Sequence, residues 1–285
     1  MLFQEKAYAK VNLFLDVLAK RPDGYHDIGT VFQTIDACDL LEAREISHGP
    51  VQLTYSIPQD YPVESDLVYR AAEALRAYAQ VKQSVAIHLH KHLPLGAGLG
   101  GGSADAAAAL RLLNRMWNLG LPAQTLCAIG AKLGADVPFL VEGGTAWASG
   151  IGDQLTKVPT PALPQGIVLA VATPLCAVPT KAAYAGIQPS GATRWESFMQ
   201  CNCHNPLDSA FDLFNKFEES VLPQFPQIES LKTNFTRLGA LRVLMSGSGA
   251  SVFAFFDGEI EAKKALATQD SVIRWRTIAR FTHHC

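Results

Sequence analysis

PLGAGLGGGSADAAAAL, residues 94–110, places five glycines in the seven positions from 96 to 102 and then runs straight into alanine. Glycine strips a loop of side chains, so its N–H groups can approach another molecule closely. The alanines favour helix, and a helix start offers unpaired N–H groups and the positive end of the helix dipole. The run Pro94, Leu95, Gly96, Ala97, Gly98, Leu99, Gly100, Gly101, Gly102, Ser103 and Ala104 therefore reads as an anion site, most simply for phosphate.

Two well-known glycine loops do not fit it. Gly96, Gly98 and Gly101 satisfy G-x-G-x-x-G, but that fingerprint needs an acid about twenty residues on to hold a ribose. After Asp105 the next acid here is Asp136, and a long strand-like stretch precedes the loop where a dinucleotide fold would begin with it. A P-loop needs a lysine directly after its last glycine; here Ser103 stands there and the next lysine is Lys132. What remains is a phosphate cradle whose neutralising lysine comes from elsewhere in the chain.

The 285 residues suffice for two domains or one large one, and 48% hydrophobic against 18% charged residues supports a substantial core. A net charge of −2 without a basic run argues against nucleic acid as a partner. The N-terminal MLFQEKAYAKVN lacks the apolar run of a signal peptide, and the longest apolar stretches are too short to span a bilayer, so a cytoplasmic protein without membrane partners is expected. Cys38, Cys127, Cys176, Cys201, Cys203 and Cys285 form no regular framework and read as reduced thiols. CNCH (201–204) has no second cluster at zinc spacing, His88, His90 and His92 read as a polar strand face, and THHC reads as a terminus, so no metal site is assigned to the protein itself.

Working outward, residues 10–36 read as a hairpin around Pro22-Asp23-Gly24, with Val11, Leu13 and Leu15 alternating with Asn12, Phe14 and Asp16. Residues 65–80 predict a helix capped by Ser65 or Asp66, with Leu67, Ala71, Leu75 and Tyr78 along one side. SVAIHLH predicts a strand leading into the glycine loop, with Val85, Ile87 and Leu89 on one face. Helices are expected from Ser103 to about Gly120 and over 122–134, and FLVEGGTAWAS reads as two strands around Gly143-Gly144. The proline-rich 158–166 is the expected boundary between domains 1–157 and 158–285. Beyond it a strand at 167–172, helices between 205 and 237, a strand-loop-strand through RVLMSGSGASVFAFF, a helix near 259–268 and a last strand complete an α+β pattern.

PLGAGLGGGS before an alanine helix resembles the second signature of the GHMP kinases, small-molecule kinases that include galactokinase, homoserine kinase and mevalonate kinase. AKVNLFL near the start and MSGSGASVFAFF near the end resemble the other two signatures, in the same order. RPDGYH and GADVPF resemble the branch whose small-molecule substrate is a cytidine-diphosphate methylerythritol. One departure is Tyr8, two residues before the motif lysine, where the family usually has proline. Residues 186–236 match weakly, and nothing is carried over from them.

The resemblance implies a two-domain α+β kinase, with an N-terminal domain like the second domain of ribosomal protein S5, a ferredoxin-like C-terminal domain, and the active site in the cleft between them. It implies ATP as donor, held by residues 94–104, with Mg²⁺ carried largely by phosphate oxygens and water, and Ser103 adding a hydroxyl. Asp136 is then the catalytic carboxylate and Lys10 its cationic neighbour; composition alone equally allows a helix cap and a solvated strand lysine. Asn12, Tyr25, His26, Thr180 and Tyr184 become acceptor-binding residues, with Tyr184 stacking opposite Tyr25 around a cytosine. A sister kinase for homoserine or mevalonate, a non-catalytic ligand sensor and an RNA-binding protein are the alternatives. GYH argues against the first, the full set Lys10, Ser103 and Asp136 against the second, and the charge against the third. Lys91, the SGSGAS loop and the oligomeric state are left open.

Overall fold

The computed structural model describes residues 1–161, 163–200, 205–269 and 272–283. The CNCH cluster and the last two residues of THHC lie outside them.

Two strands of unusual length form the spine: β1 (Phe3–Lys20) and β2 (His26–Ile46), antiparallel and joined at the Pro22-Asp23-Gly24 turn. Gly24 adopts φ +88°, and the Asp23 carboxylate accepts the Tyr25 N–H at 3.0 Å, so the turn residues act by their own chemistry. After β3 (Gln52–Tyr55) comes α1 (Leu67–Ala79), capped by Asp66, whose side chain accepts the Val68 N–H at 2.7 Å. Its inner face is Val68, Ala71, Ala72 and Leu75; Tyr78, expected on that face, is exposed, because the stripe drifts round the helix within its last turn.

Then follow β4 (Ser84–His90), α2 (Gly101–Met116), α3 (Ala123–Gly130), α4 (Val137–Glu142), β5 (Thr145–Ser149) and β6 (Gln154–Val158). The sheet runs β3-β4-β2-β1, with β5 pairing the first part of β2 and β6 pairing β5. α2 is alanine-rich because Ala104 and Ala106–Ala109 are all buried, which lets the helix approach sheet and neighbours closely. Residues 139–142, expected as a strand, form α4. Val137 to Val141 are buried throughout, and a short apolar run does not distinguish a buried helix from a buried strand.

The second half comprises β7 (Ile167–Pro174), α5 (Thr180–Ala185), α6 (Thr193–Gln200), β8 (Phe214–Asn215), α7 (Phe217–Val221), α8 (Pro226–Arg237), β9 (Arg242–Met245), β10 (Val252–Asp257), α9 (Glu259–Ala267) and β11 (Ile273–Ala279). Its own sheet is antiparallel in the order β11-β7-β10-β9. The chain crosses back to the first sheet: β8 adds in parallel to β1, Ser190 N–H donates to Val17 O at 2.8 Å on β1, and Thr282 N–H donates to Thr34 O at 3.0 Å on β2. A core of Phe14, Trp195, Phe198, Phe253 and Phe255 fills the space between the two sheets. This is the two-domain α+β architecture that the motifs imply.

Candidate active site

The glycine loop lies in the junction between the two halves, and its residues are glycine for separate reasons. Gly96, Gly98 and Gly100 take φ of +58°, +79° and +71°, where L side chains are strained. At Gly98 space is also absent: a Cβ there would meet the Ser246 carbonyl oxygen at 2.1 Å. Ser246 Oγ donates to Gly98 O at 2.9 Å, and Ser251 N–H donates to Ala97 O at 3.0 Å. The SGSGAS loop therefore packs backbone to backbone against the first glycine loop. Lys10 N–H donates to Leu99 O at 2.9 Å, which ties the same loop to β1. Among the described residues the N–H groups of Gly101, Gly102 and Ser103 have no partner, the expected state of a helix start.

Gly96, Gly98, Gly100 and Ser103 line a cavity of about 770 Å³ together with Lys10, Asn12 and Asp136. Lys10 Nζ lies 3.6 Å from an Asp136 carboxylate oxygen and donates to Asn12 Oδ1 at 2.8 Å. Asn12 Nδ2 donates to Thr30 Oγ1, which donates in turn to the Phe14 carbonyl at 2.6 Å. Lys10 is buried, so it does not reach out to solvent; Asp136 is part-exposed at 31% and caps no helix N–H with its side chain. The lysine is thus oriented and paired, while Asp136 lines the cavity.

A bulge in β1 between Asn12 and Phe14 shifts the side-chain alternation by one. Leu15 consequently faces the cavity on the side of Lys10 and Asn12, instead of sharing a face with Val11 and Leu13. Strict alternation predicts the opposite face for it, since a single inserted residue inverts everything beyond it.

The far wall carries Thr180 and Tyr184 on α5. Tyr184 stacks on His26 (centroids 4.7 Å, 22° between planes) and meets Phe217 edge-on at 4.7 Å. The ring stacked directly on Tyr184 is that of His26; Tyr25 is exposed at 62% and contacts no aromatic ring among the described residues. Burial, with the Asp136 charge adding to it, pushes the Tyr184 phenol up to about 12.

Lys91 does not face the cavity. It is buried between Asp105 (2.7 Å) and Asp39 (2.5 Å), and Asp39 also accepts the Leu93 N–H at 2.8 Å. Burial pulls the lysine's pKa down, but the two carboxylates outweigh it and the net shift is upward; burial drives the Asp105 carboxyl well above the usual carboxylate range. This ion cluster fastens β2 and the first turn of α2 to the chain that enters the loop. His88 and His90 stand on the partly exposed strand face, where they contact Thr54 and Glu42, and no group of three potential metal ligands occurs among the described residues.

Sequence reasoning missed one contributor, Asn215, and left open the role of a second, Ser248 in the SGSGAS loop. Asn215 Nδ2 donates to both Met245 O (2.7 Å) and Gly247 O (2.8 Å), bracing the SGSGAS loop from below, and Ser248 lines the cavity beside Thr180. Asn215 lies in a stretch without a motif, and only its position beside Leu15 in the parallel β8–β1 pairing brings it to the loop.

Comparison with known proteins converges on the same set of features. The family model described as GHMP kinases N terminal domain matches residues 66–144, and that described as GHMP kinases C terminal matches 194–268. A 4-diphosphocytidyl-2-C-methyl-D-erythritol kinase of Exiguobacterium sibiricum is 41% identical over 265 residues, covering 91% of each chain. A crystal structure of a 4-(cytidine 5'-diphospho)-2C-methyl-D-erythritol kinase aligns with TM-score 0.77 at 32% identity, covering 97% of this chain and 98% of that one. A homoserine kinase of Cytophaga hutchinsonii reaches the same TM-score of 0.77 at 19% identity, over 99% of this chain and 96% of its own. The fold is thus common to kinases with different acceptors and does not select among them.

Proposed function

The chain belongs to the 4-diphosphocytidyl-2-C-methyl-D-erythritol kinase family of the GHMP kinases, and we propose on that footing that it transfers the γ-phosphoryl group of ATP to the 2-hydroxyl of 4-diphosphocytidyl-2-C-methyl-D-erythritol. The step belongs to non-mevalonate isoprenoid precursor synthesis. The observation that carries the chemistry is the Lys10–Asp136 pair at 3.6 Å, in one cavity with the bare N–H groups of the glycine loop.

Phosphoryl transfer needs the donor phosphates held, the developing charge neutralised, and the hydroxyl aimed and relieved of its proton. Residues 94–104 hold the phosphates through loop N–H groups and the start of α2. A neighbouring groove of about 340 Å³, lined by Tyr61, Ser65, Leu67 and Leu95 beside Gly102, takes the nucleoside end of ATP. Asp136 accepts the proton of the acceptor hydroxyl as the new oxygen–phosphorus bond forms and the bond to the β-phosphate oxygen breaks, leaving ADP. Lys10, pre-oriented by Asn12, pairs with Asp136 and balances charge on the transferring group. His26 and Tyr184 form the wall for the cytosine, and Tyr25 closes over it from the exposed end of the hairpin.

The loop fits a divalent cation: Ser103 brings a hydroxyl, a hard oxygen donor, to the cavity beside the phosphate site. Ser103 and the donor's phosphate oxygens would hold Mg²⁺, which when bound neutralises phosphate charge. The division at residues 157/158 separates the ATP-binding half from the half that supplies Thr180, Tyr184 and the second glycine loop. No helix among the described residues is long and apolar enough to cross a membrane, and we place the enzyme in the cytoplasm, with its ATP.

The test is ADP release from ATP and Mg²⁺ with 4-diphosphocytidyl-2-C-methyl-D-erythritol, homoserine and mevalonate offered in parallel. Turnover of the cytidine compound alone is expected. Turnover of another alcohol would keep the kinase and overturn the acceptor; ATP binding without any turnover would overturn the reaction.

A further inference from the structure

Thr34 on β2 is fully buried and lies outside the cavity, yet its hydrogen bonds converge on the frame of the reaction centre. Its Oγ1 accepts the Gly144 N–H at 2.9 Å and donates to Thr282 O at 2.8 Å. Its own N–H donates to Gly144 O at 2.9 Å, and its carbonyl accepts the Thr282 N–H at 3.0 Å and Gln33 Nε2 at 2.8 Å. Residues 280–282 extend this contact along β2, through an Ile35–Phe281 bridge and the Asp36 N–H donated to Arg280 O at 3.0 Å. One hydroxyl thus joins the turn at Gly144 to the C-terminal segment, because a hydroxyl can accept and donate at once.

That turn follows α4, and Asp136 stands at the other end of the same helix. In the β1–β2 register Thr34 lies opposite Lys10 and Phe32 opposite Asn12, so the four side chains share one face of the sheet. Lys10 Nζ lies 5.3 Å from the centre of the Phe32 ring, which stacks at 4.9 Å on Phe139 in α4. β2 therefore grips α4 twice, with Phe32 against Phe139 within the helix and Thr34 on Gly144 beyond its end. A helix of six residues moves as one body, so a shift at Gly144 tilts Asp136. The separation of 3.6 Å between Lys10 Nζ and the Asp136 carboxylate depends on both grips.

We propose that Thr34 is a positioning residue of the reaction: its hydroxyl, latched by residues 280–282, holds α4 where Asp136 meets Lys10. The inference rests on Lys10 and Asp136 as the reaction centre assigned above. It makes the C-terminal segment, which lines no part of the cavity, a remote support of the chemistry.

The test is steady-state kinetics of the intact chain as wild type, Thr34→Val, Thr34→Ser, Thr282→Pro, Asp136→Asn and the Thr34→Val/Asp136→Asn double variant. Thr34→Val keeps the shape and loses the hydroxyl; it is expected to lower kcat about tenfold and to change KM for ATP and for the acceptor less than about twofold. Thr34→Ser restores the hydroxyl and is expected to recover most of the loss. In the Asp136→Asn background Thr34→Val is expected to change residual turnover less than about twofold, because a residue that acts through Asp136 then has nothing left to position. A role in the fold alone predicts the same loss in both backgrounds. Thr282→Pro removes the N–H given to Thr34 O from outside the site, and a loss of about threefold or more in kcat at unchanged KM is expected even if Thr34→Val does not fold. Wild-type kcat in both Thr34→Val and Thr282→Pro, a loss carried by KM, an equal loss in the Asp136→Asn background, or serine no better than valine would each overturn the proposal. Full turnover by Asp136→Asn, or none by wild type, would overturn the reaction-centre reading and this inference with it; an impaired Asp136→Asn beside an unimpaired Thr34→Val would overturn the positioning role alone.

Discussion

Replacing Gly98 by alanine tests whether the two glycine loops form one rigid unit. Two costs add at this position. The backbone sits at φ +79°, where an L residue costs about 1–2 kcal/mol. The new Cβ would also lie 2.1 Å from the Ser246 carbonyl oxygen, which belongs to backbone and is itself held by the Asn215-braced loop. Ordinary contact begins at 3.4 Å, so the loops must part by more than an ångström. Such a shift breaks the Ser246 Oγ–Gly98 O and Ser251 N–Ala97 O bonds, each worth about 1 kcal/mol. A misplacement of about 1 Å at a phosphate site costs on the order of a hundredfold in rate. Gly96 is the internal control, with φ +58° but nothing within 4 Å of its Cβ. Gly98→Ala should lose about 3 kcal/mol or more in urea unfolding and about a hundredfold in kcat/KM for ATP; Gly96→Ala should lose about 1 kcal/mol. If the two variants unfold within about 0.5 kcal/mol of each other with the same kinetics, close packing between the loops is not what makes Gly98 necessary.

Asp136→Asn should lower kcat by about 10²–10⁴-fold while ATP binding, measured by calorimetry, is largely kept; wild-type turnover would remove Asp136 as the base. Lys91→Met leaves Asp39 and Asp105 buried without their cation, so a loss of about 3–5 kcal/mol is expected in denaturant melts, and a loss under about 1 would show that the cluster is not needed for the fold. The Tyr184 phenol is pushed up to about 12, so the folded state keeps a proton that the unfolded chain releases from about pH 10. Its contribution to stability is complete below about pH 10 and is lost as pH rises toward 12. The difference in phenolate absorbance between wild type and Tyr184→Phe should therefore titrate near 12, and a midpoint near 10 would contradict the buried, stacked position of the ring.

The sequence by itself determined the glycine loop, the hairpin turn, the capped helix before the loop and the residue types that line the cavity. Each is local chemistry: φ above zero selects glycine at 96, 98 and 100, Pro22-Asp23-Gly24 closes its own turn, and Asp66 caps the helix two residues on. Resemblance in three ordered motifs then supplied the kinase, since no periodicity states which lysine meets which carboxylate. Tertiary structure alone decided the rest. The bulge after Asn12 turned Leu15 into the cavity, because one unpaired residue inverts every side chain beyond it. His26 came to stack on Tyr184 of α5, across 158 residues of chain. Lys91 proved to be an anchor and Asn215 a brace, through partners 52 residues away in the one case and 30 in the other. Ser248 came beside Thr180 across 68 residues for the same reason: a contact between distant segments depends on how sheets and helices pack, and short windows of sequence carry no record of it.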